Sequence, residues 1–171
     1  PGVPSLDILG NVIPYIGDEE PKIETELVKL LGRFAGTHIE AAPIVTSAHA
    51  NRVPVEHGHT VCLSVAFDRR TTTDDACAVL RAWKGVSAVQ GLPSAPSPAL
   101  ILRDDLDRPQ PRRDAMAGRG MAVTVGRVRT DPLFDLRLVA MAHNVVRGAA
   151  GGSILNAELL VATGRLAGLT A

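Results

Sequence analysis

An arginine and a histidine stand seven residues apart in the segment 51–60, with one proline and one glycine between them. A guanidinium can hold a carboxylate in a two-point fork, and an imidazole can move a proton near neutral pH. The spacing of Arg52 and His59 suits a strand end, a turn and the next strand, which would bring both side chains to one rim. By pattern alone a structural role is the more frequent one, and His57 competes with His59 for the catalytic role.

A second pair with chemical potential opens the first predicted helix. Glu19 and Lys22 are three residues apart and therefore share a helix face. The carboxylate could hold a substrate amine, and the ammonium could hold an anion. The alternative is a surface ion pair in the first turn, and the pattern alone favours it.

The glycine-rich run 148–152 precedes the last predicted helix. Backbone N–H groups at a helix start can face an anion, but the run is not a dinucleotide fingerprint, and close packing is the favoured interpretation. Cys62 and Cys77 fall inside a predicted strand and a predicted helix, so both read as structural. The histidines show no ligand spacing, and we expect no metal site.

Hydrophobic periodicity predicts the elements that must position these residues. Thr72 and Asp75 have the spacing of a capping box at the start of the second helix. Strands and helices mix without strict alternation, so the predicted class is α+β. The predicted helices are 19–34, one after Thr72, and 153–166; the predicted strands are 38–50, 59–69, 99–102, 120–129 and 135–142.

Composition excludes several function classes. The 171 residues carry a formal net charge of zero, which argues against binding nucleic acid or a membrane surface. No apolar run approaches the roughly 18 residues that span a bilayer, and no signal segment is evident. We therefore expect one soluble cytoplasmic domain. The chain starts at Pro1 without an initiator Met, which suggests processing or truncation.

Ordered sequence blocks along almost the whole chain resemble aspartate-semialdehyde dehydrogenase of the archaeal and fungal branch. Several blocks in the same order are far more specific than any one of them. They are residues 1–7, 11–16, 17–22, 51–55 with 58–60, 108–112, 126–129 and 147–158.

The resemblance implies a reaction and roles for named residues. Members of this family reduce L-aspartyl 4-phosphate to L-aspartate 4-semialdehyde with NADPH and release phosphate. By resemblance, His59 is the acid/base that serves a catalytic thiol, Arg52 binds the substrate α-carboxylate, Glu19 takes the amine and Lys22 contacts phosphate. Gly151 and Asn156 are expected to touch NADP, most of which would be held by a separate nucleotide-binding domain.

The same resemblance implies a largely antiparallel mixed sheet, with helices on one face and subunit contact on the other. Family members are about twice as long, so the chain reads as the C-terminal half: residues 1–147 as catalytic and dimerisation domain, residues 148–171 as a helix that packs on the nucleotide-binding domain. We expect a homodimer or homotetramer and no turnover by this chain alone. Two alternatives stay open, a malonyl-CoA reductase-like enzyme and a non-catalytic dimerisation module.

Overall fold

The computed structural model describes residues 5–166, so residues 1–4 of the first resembling block and residues 167–171 of the predicted C-terminal segment 148–171 lie outside it. The chain divides into two compact units, Pro1–Val55 and Glu56–Ala171. Within the described range, no helix is both long and apolar enough to cross a membrane.

The first unit is built around one helix. It contains α1 (Ser5–Ile8), α2 (Glu19–Leu30) and a small antiparallel pair of strands, β1 (Arg33–Phe34) and β2 (Ile39–Glu40). Helix α2 ends earlier than predicted because the chain turns back at Gly32, where a Cβ would lie 2.3 Å from the carbonyl oxygen of Glu40. Asp18 precedes the helix in the left-handed conformation, with φ 59°, and its side chain makes no capping hydrogen bond.

The prediction of a strand over 38–50 is wrong beyond its first residues. Carboxylate side chains, instead of a neighbouring strand, accept hydrogen bonds from the backbone of this segment. Glu20 and Glu24 lie one helical turn apart on α2 and so share a face. Their carboxylates accept 2.8 Å hydrogen bonds from the backbone N–H groups of Ala50 and Ala48. The extended segment is therefore held along the helix by two carboxylates.

The second unit is a four-stranded mixed sheet in the order β3 (His59–Val65), β6 (Leu136–Ala142), β5 (Val123–Thr130), β4 (Leu100–Arg103). The pairs β3–β6 and β6–β5 are antiparallel, and β4–β5 is parallel. The predicted α+β class with a largely antiparallel sheet is confirmed. The helices of this unit are α3 (Thr73–Ala82), α4 (Pro111–Asp114) and α5 (Gly151–Ala162).

Local signals placed several of these elements correctly. Thr72 caps α3, since its hydroxyl oxygen accepts a 3.1 Å hydrogen bond from the Asp75 N–H. The core lies between the central strands, where Leu136, Met141 and Thr124 are fully buried. Strand β3 stands at the edge of the sheet and stays open to solvent.

A buried ion pair fixes the loop that covers β5. Asp114 is 1% exposed, and Arg108 donates from Nε to its Oδ2 at 2.7 Å. Burial alone would raise the pKa of Asp114. Hydrogen bonds from Arg108 and from the Gln110 N–H outweigh burial and hold this pKa below its usual range, while the same contact raises the pKa of Arg108. The Arg108 carbonyl oxygen packs closely against Gly126, because this residue has no side chain. A Cβ on Gly126 would lie 2.5 Å from that oxygen.

Candidate functional site

His59 is the first residue of β3 and pairs with Ala142 of β6 across the ladder. Its side chain is exposed. The preceding Gly58 has φ 112°, a conformation that glycine adopts without strain, and its N–H donates a 3.0 Å hydrogen bond to Oδ1 of Asn144. The histidine therefore presents a free imidazole from a backbone that is fixed on both sides.

His57, the competing histidine, has a different environment. Its ring stacks on that of His143, with ring centroids 4.8 Å apart and an angle of 25° between the planes. His143 is 4% exposed, and its Nδ1 accepts 3.2 Å hydrogen bonds from the N–H groups of Val145 and Val146. Sequence reasoning missed His143 and Asn144; their position just before the glycine-rich run was the available signal.

Three predicted substrate-binding residues lie in the first unit. Arg52 joins Ile13 through an isolated antiparallel bridge, with hydrogen bonds of 2.9 and 3.1 Å in the two directions, and its side chain is half-buried. Glu19 is half-buried and Lys22 exposed, both in the first turn of α2. Among the described side chains, Glu19 and Lys22 form no ion pair with each other.

The glycine-rich run continues a helix rather than starting one. A π-helical turn at Val146–Ala150 leads directly into α5, and the Ala150 N–H donates to the Val145 carbonyl. A Cβ on Gly151 would lie 2.5 Å from Met121 Sδ and 2.7 Å from the Val146 carbonyl, so packing requires this glycine. Asn156 is exposed on α5.

Cys62 does not face the same way as the predicted acid/base, and Cys77 lies on a different element. Cys62 is exposed three residues after His59 on β3, and odd spacing along a strand puts the two side chains on opposite faces. Cys77 is half-buried on α3 and lines a cavity of about 160 Å³ with Leu102 and Arg127. Within residues 5–166 no cluster of three potential metal ligands occurs.

Comparison with known proteins places this arrangement in a family. Residues 1–147 match the model described as semialdehyde dehydrogenase, dimerisation domain. The aspartate-semialdehyde dehydrogenase of Archaeoglobus fulgidus is 50% identical over 161 residues, which cover 94% of this chain and 46% of the relative. That of Schizosaccharomyces pombe is 47% identical over 169 residues, 96% of this chain and 47% of the relative.

Solved structures agree with the sequence comparison. The Candida albicans aspartate semialdehyde dehydrogenase with NADP superposes with a TM-score of 0.86 at 43% identity, covering 95% of this chain and 47% of that one. The Vibrio cholerae enzyme II complexed with ASA gives 0.65 at 28% identity, covering 89% and 41%. The chain spans about half the length of the curated relatives it matches. It belongs to the semialdehyde dehydrogenase dimerisation-domain family, and the prediction that it corresponds to the C-terminal half of an aspartate-semialdehyde dehydrogenase is confirmed.

Proposed function

We propose that this chain supplies the substrate-binding and acid/base residues of an enzyme that reduces L-aspartyl 4-phosphate to L-aspartate 4-semialdehyde with NADPH. The observation that carries the proposal is the match of residues 1–147 to the family, together with an exposed His59 on a fixed turn. A cytoplasmic location is part of the same proposal.

Each proposed role follows from the chemistry of the side chain. His59 moves the proton of the reacting thiol, a task that suits an imidazole free to rotate above an immobile backbone. Arg52 holds the substrate α-carboxylate in a planar fork. Glu19 accepts hydrogen bonds from the substrate ammonium, and Lys22 offers a point charge to phosphate. The nucleophilic thiol comes from outside the matched half.

NADPH, when bound, would supply the hydride, and the described residues fit a contact at the edge of this cofactor. Asn156 is exposed and can offer an amide N–H or carbonyl. Gly151 is enclosed by Met121 and Val146, and its surroundings support packing better than direct contact with a cofactor. We therefore keep Asn156 as the better supported of the two predicted cofactor contacts and leave the main binding surface to the nucleotide-binding half.

Exposed apolar side chains on α5 support the proposed packing against that half. Ile154, Leu160 and Val161 are all at least 40% exposed in this chain. A helix with apolar groups on the open side is typical of a surface that another domain covers. The division at residue 147/148 stays a prediction on this basis.

A second copy of this chain is the proposed partner of the exposed face of β3. Val61 and Leu63 project from the same face of β3 and are 47% and 39% exposed. Isologous contact of such a face with itself would give a homodimer, in agreement with the name of the matched family model.

The experiment is a chimera in which this chain replaces the matching half of the Archaeoglobus fulgidus relative. We expect NADP- and phosphate-dependent oxidation of aspartate semialdehyde, and a fall in turnover of roughly 10²- to 10⁴-fold for His59→Ala. His57→Ala is the matched control and should lose much less. A chimera that oxidises malonate semialdehyde with coenzyme A, but not aspartate semialdehyde with phosphate, would support a malonyl-CoA reductase-like enzyme instead. A folded chimera that turns over neither substrate would leave only a dimerisation module.

A further inference from the structure

We propose that His143 and Asn144 are positioning residues that fix the backbone of His59, a role that rests on the proposed function. The contact joins distant parts of the sequence, since Gly58 and Asn144 are 86 residues apart. We call this pair the His143–Asn144 clasp. It lies at the end of β6, directly beside the start of β3.

Asn144 holds the residue that precedes His59. Its Oδ1 accepts the Gly58 N–H at 3.0 Å, in a part-buried position. The Gly58 Cα is also enclosed, because a Cβ there would lie 3.5 Å from Met141 Sδ and 3.7 Å from Pro111. The ladder pair with Ala142 fixes His59 from the other side. Without Asn144, the backbone N–H of Gly58 would lose its hydrogen bond. The conformationally permissive glycine would then no longer hold the backbone of His59 on its N-terminal side.

His143 keeps Asn144 in place. Two backbone N–H groups converge on its Nδ1, which accepts both hydrogen bonds. The ring is thereby locked at the start of the π-helical turn, and His57 packs flat against it. His57 Nε2 also lies 4.0 Å from Oε1 of the exposed Glu56. The stack accounts for the conformation of His57 and leaves His59 as the free ring.

The reason that a clasp matters is geometric. General acid–base catalysis needs the imidazole within hydrogen-bond reach of the proton that it moves, and a displacement of about 1 Å can lower a rate about 100-fold. If Gly58 lost its hydrogen bond to Asn144, His59, the first residue of β3, could separate from the sheet. Substrate binding by other residues would be unaffected, so the signature of the clasp is a loss of kcat with little change in KM.

The first test measures the contact in the 171-residue chain. Amide hydrogen exchange is followed by NMR at Gly58 and His59 in Asn144→Ala, in Asn144→Asp, which keeps an acceptor oxygen, and in Gln90→Ala. Gln90 is the matched control because its amide also bonds a glycine backbone group, the Gly85 carbonyl, away from β3. We expect exchange at Gly58 to accelerate about five- to tenfold in Asn144→Ala only. Unchanged exchange there would overturn the clasp.

The second test measures kinetics in the chimera described above. Asn144→Ala should lower kcat about 10- to 100-fold and change KM less than about threefold, and Asn144→Asp should restore most of kcat. If Asn144→Ala does not fold, Asn144→Ser, whose hydroxyl is too short to reach Gly58, takes its place. Equal loss in the Ala and Asp variants, or a change in KM alone, would overturn the positioning role. A wild-type chimera without turnover would overturn the proposed function and this role together, whatever the exchange data show for the contact itself.

Discussion

At the scale of single residues, some charged side chains of this chain form internal hydrogen bonds, while others are exposed to solvent and accessible to a ligand. Asp114, Glu20 and Glu24 use their oxygens on internal N–H groups. Lys22 and His59 are exposed instead. Both side chains are therefore accessible to a ligand, as the roles proposed above require.

Lys22 gives a prediction that separates an acyl-phosphate enzyme from an acyl-CoA enzyme. In the chimera, Lys22→Met should raise the apparent KM for phosphate with less effect on that for aspartate semialdehyde. The reason is that a point charge contributes equally to binding in the ground state and the transition state. Steady-state kinetics with each substrate varied separately checks this. Lys29→Met, at the other end of α2, is the control. An unchanged KM for phosphate in Lys22→Met would contradict the phosphate contact and leave Lys22 as a solvent-exposed surface charge.

Asp114 gives a prediction about acid stability. Its folded pKa is lowered, so its ion pair stabilises the fold above the unfolded pKa of about 4 and is lost as pH falls through the folded value. Asp114→Asn should lower the free energy of unfolding by roughly 1.5–3 kcal/mol at pH 7, since the half-buried Arg108 loses its charged hydrogen-bond partner. Urea unfolding from pH 7 to pH 2 should show the two curves converging in acid. Asp68→Asn, on an exposed turn, should follow the wild type throughout.

At the scale of elements, the sequence predicts those whose stability is local. The second helix followed from Thr72 and Asp75, and β5 and β6 followed from their runs of apolar residues. The strand prediction for segment 38–50 failed because it rested on β-branched composition. That composition does not reveal that carboxylates on α2 accept hydrogen bonds from N–H groups of the segment. The clasp could not be predicted either, because pairing of Gly58 with Asn144 depends on which strands become neighbours.

The π-helical turn before α5 gives a prediction at this scale. Gly151→Ala should lower the free energy of unfolding by about 1–3 kcal/mol, because the new Cβ would overlap Met121 Sδ and the Val146 carbonyl. Gly148→Ala is the matched control, since its Cβ meets only the His143 carbonyl at 3.9 Å. That variant should be neutral or more stable by up to about 1 kcal/mol. Thermal and urea unfolding of both variants would decide; equal effects would contradict the packing role of Gly151.

At the scale of the whole molecule, the open face of β3 should govern association. We expect the chain to self-associate at micromolar concentration, and Leu63→Lys to weaken that association at least about tenfold, because a charge would be buried in the contact. Light scattering over a concentration series measures it. Val79→Lys is the control, since this 68% exposed residue lies on α3, which packs against β4 and β5 at the opposite end of the sheet from β3. A wild-type chain that stays monomeric would contradict the proposed dimer face.

The strand order has a consequence for how the chain forms during synthesis. Within residues 5–166, strand β3 pairs with β6 alone, and its last residue, Val65, has its ladder partner, Leu136, about 70 residues later. At about 5–20 residues per second, a ribosome needs roughly 4–14 seconds to make that interval. For those seconds Val61 and Leu63 have no ladder partner in the growing chain. The nascent chain is then most vulnerable to aggregation, and chaperone binding to the segment around β3 would protect it until β6 emerges.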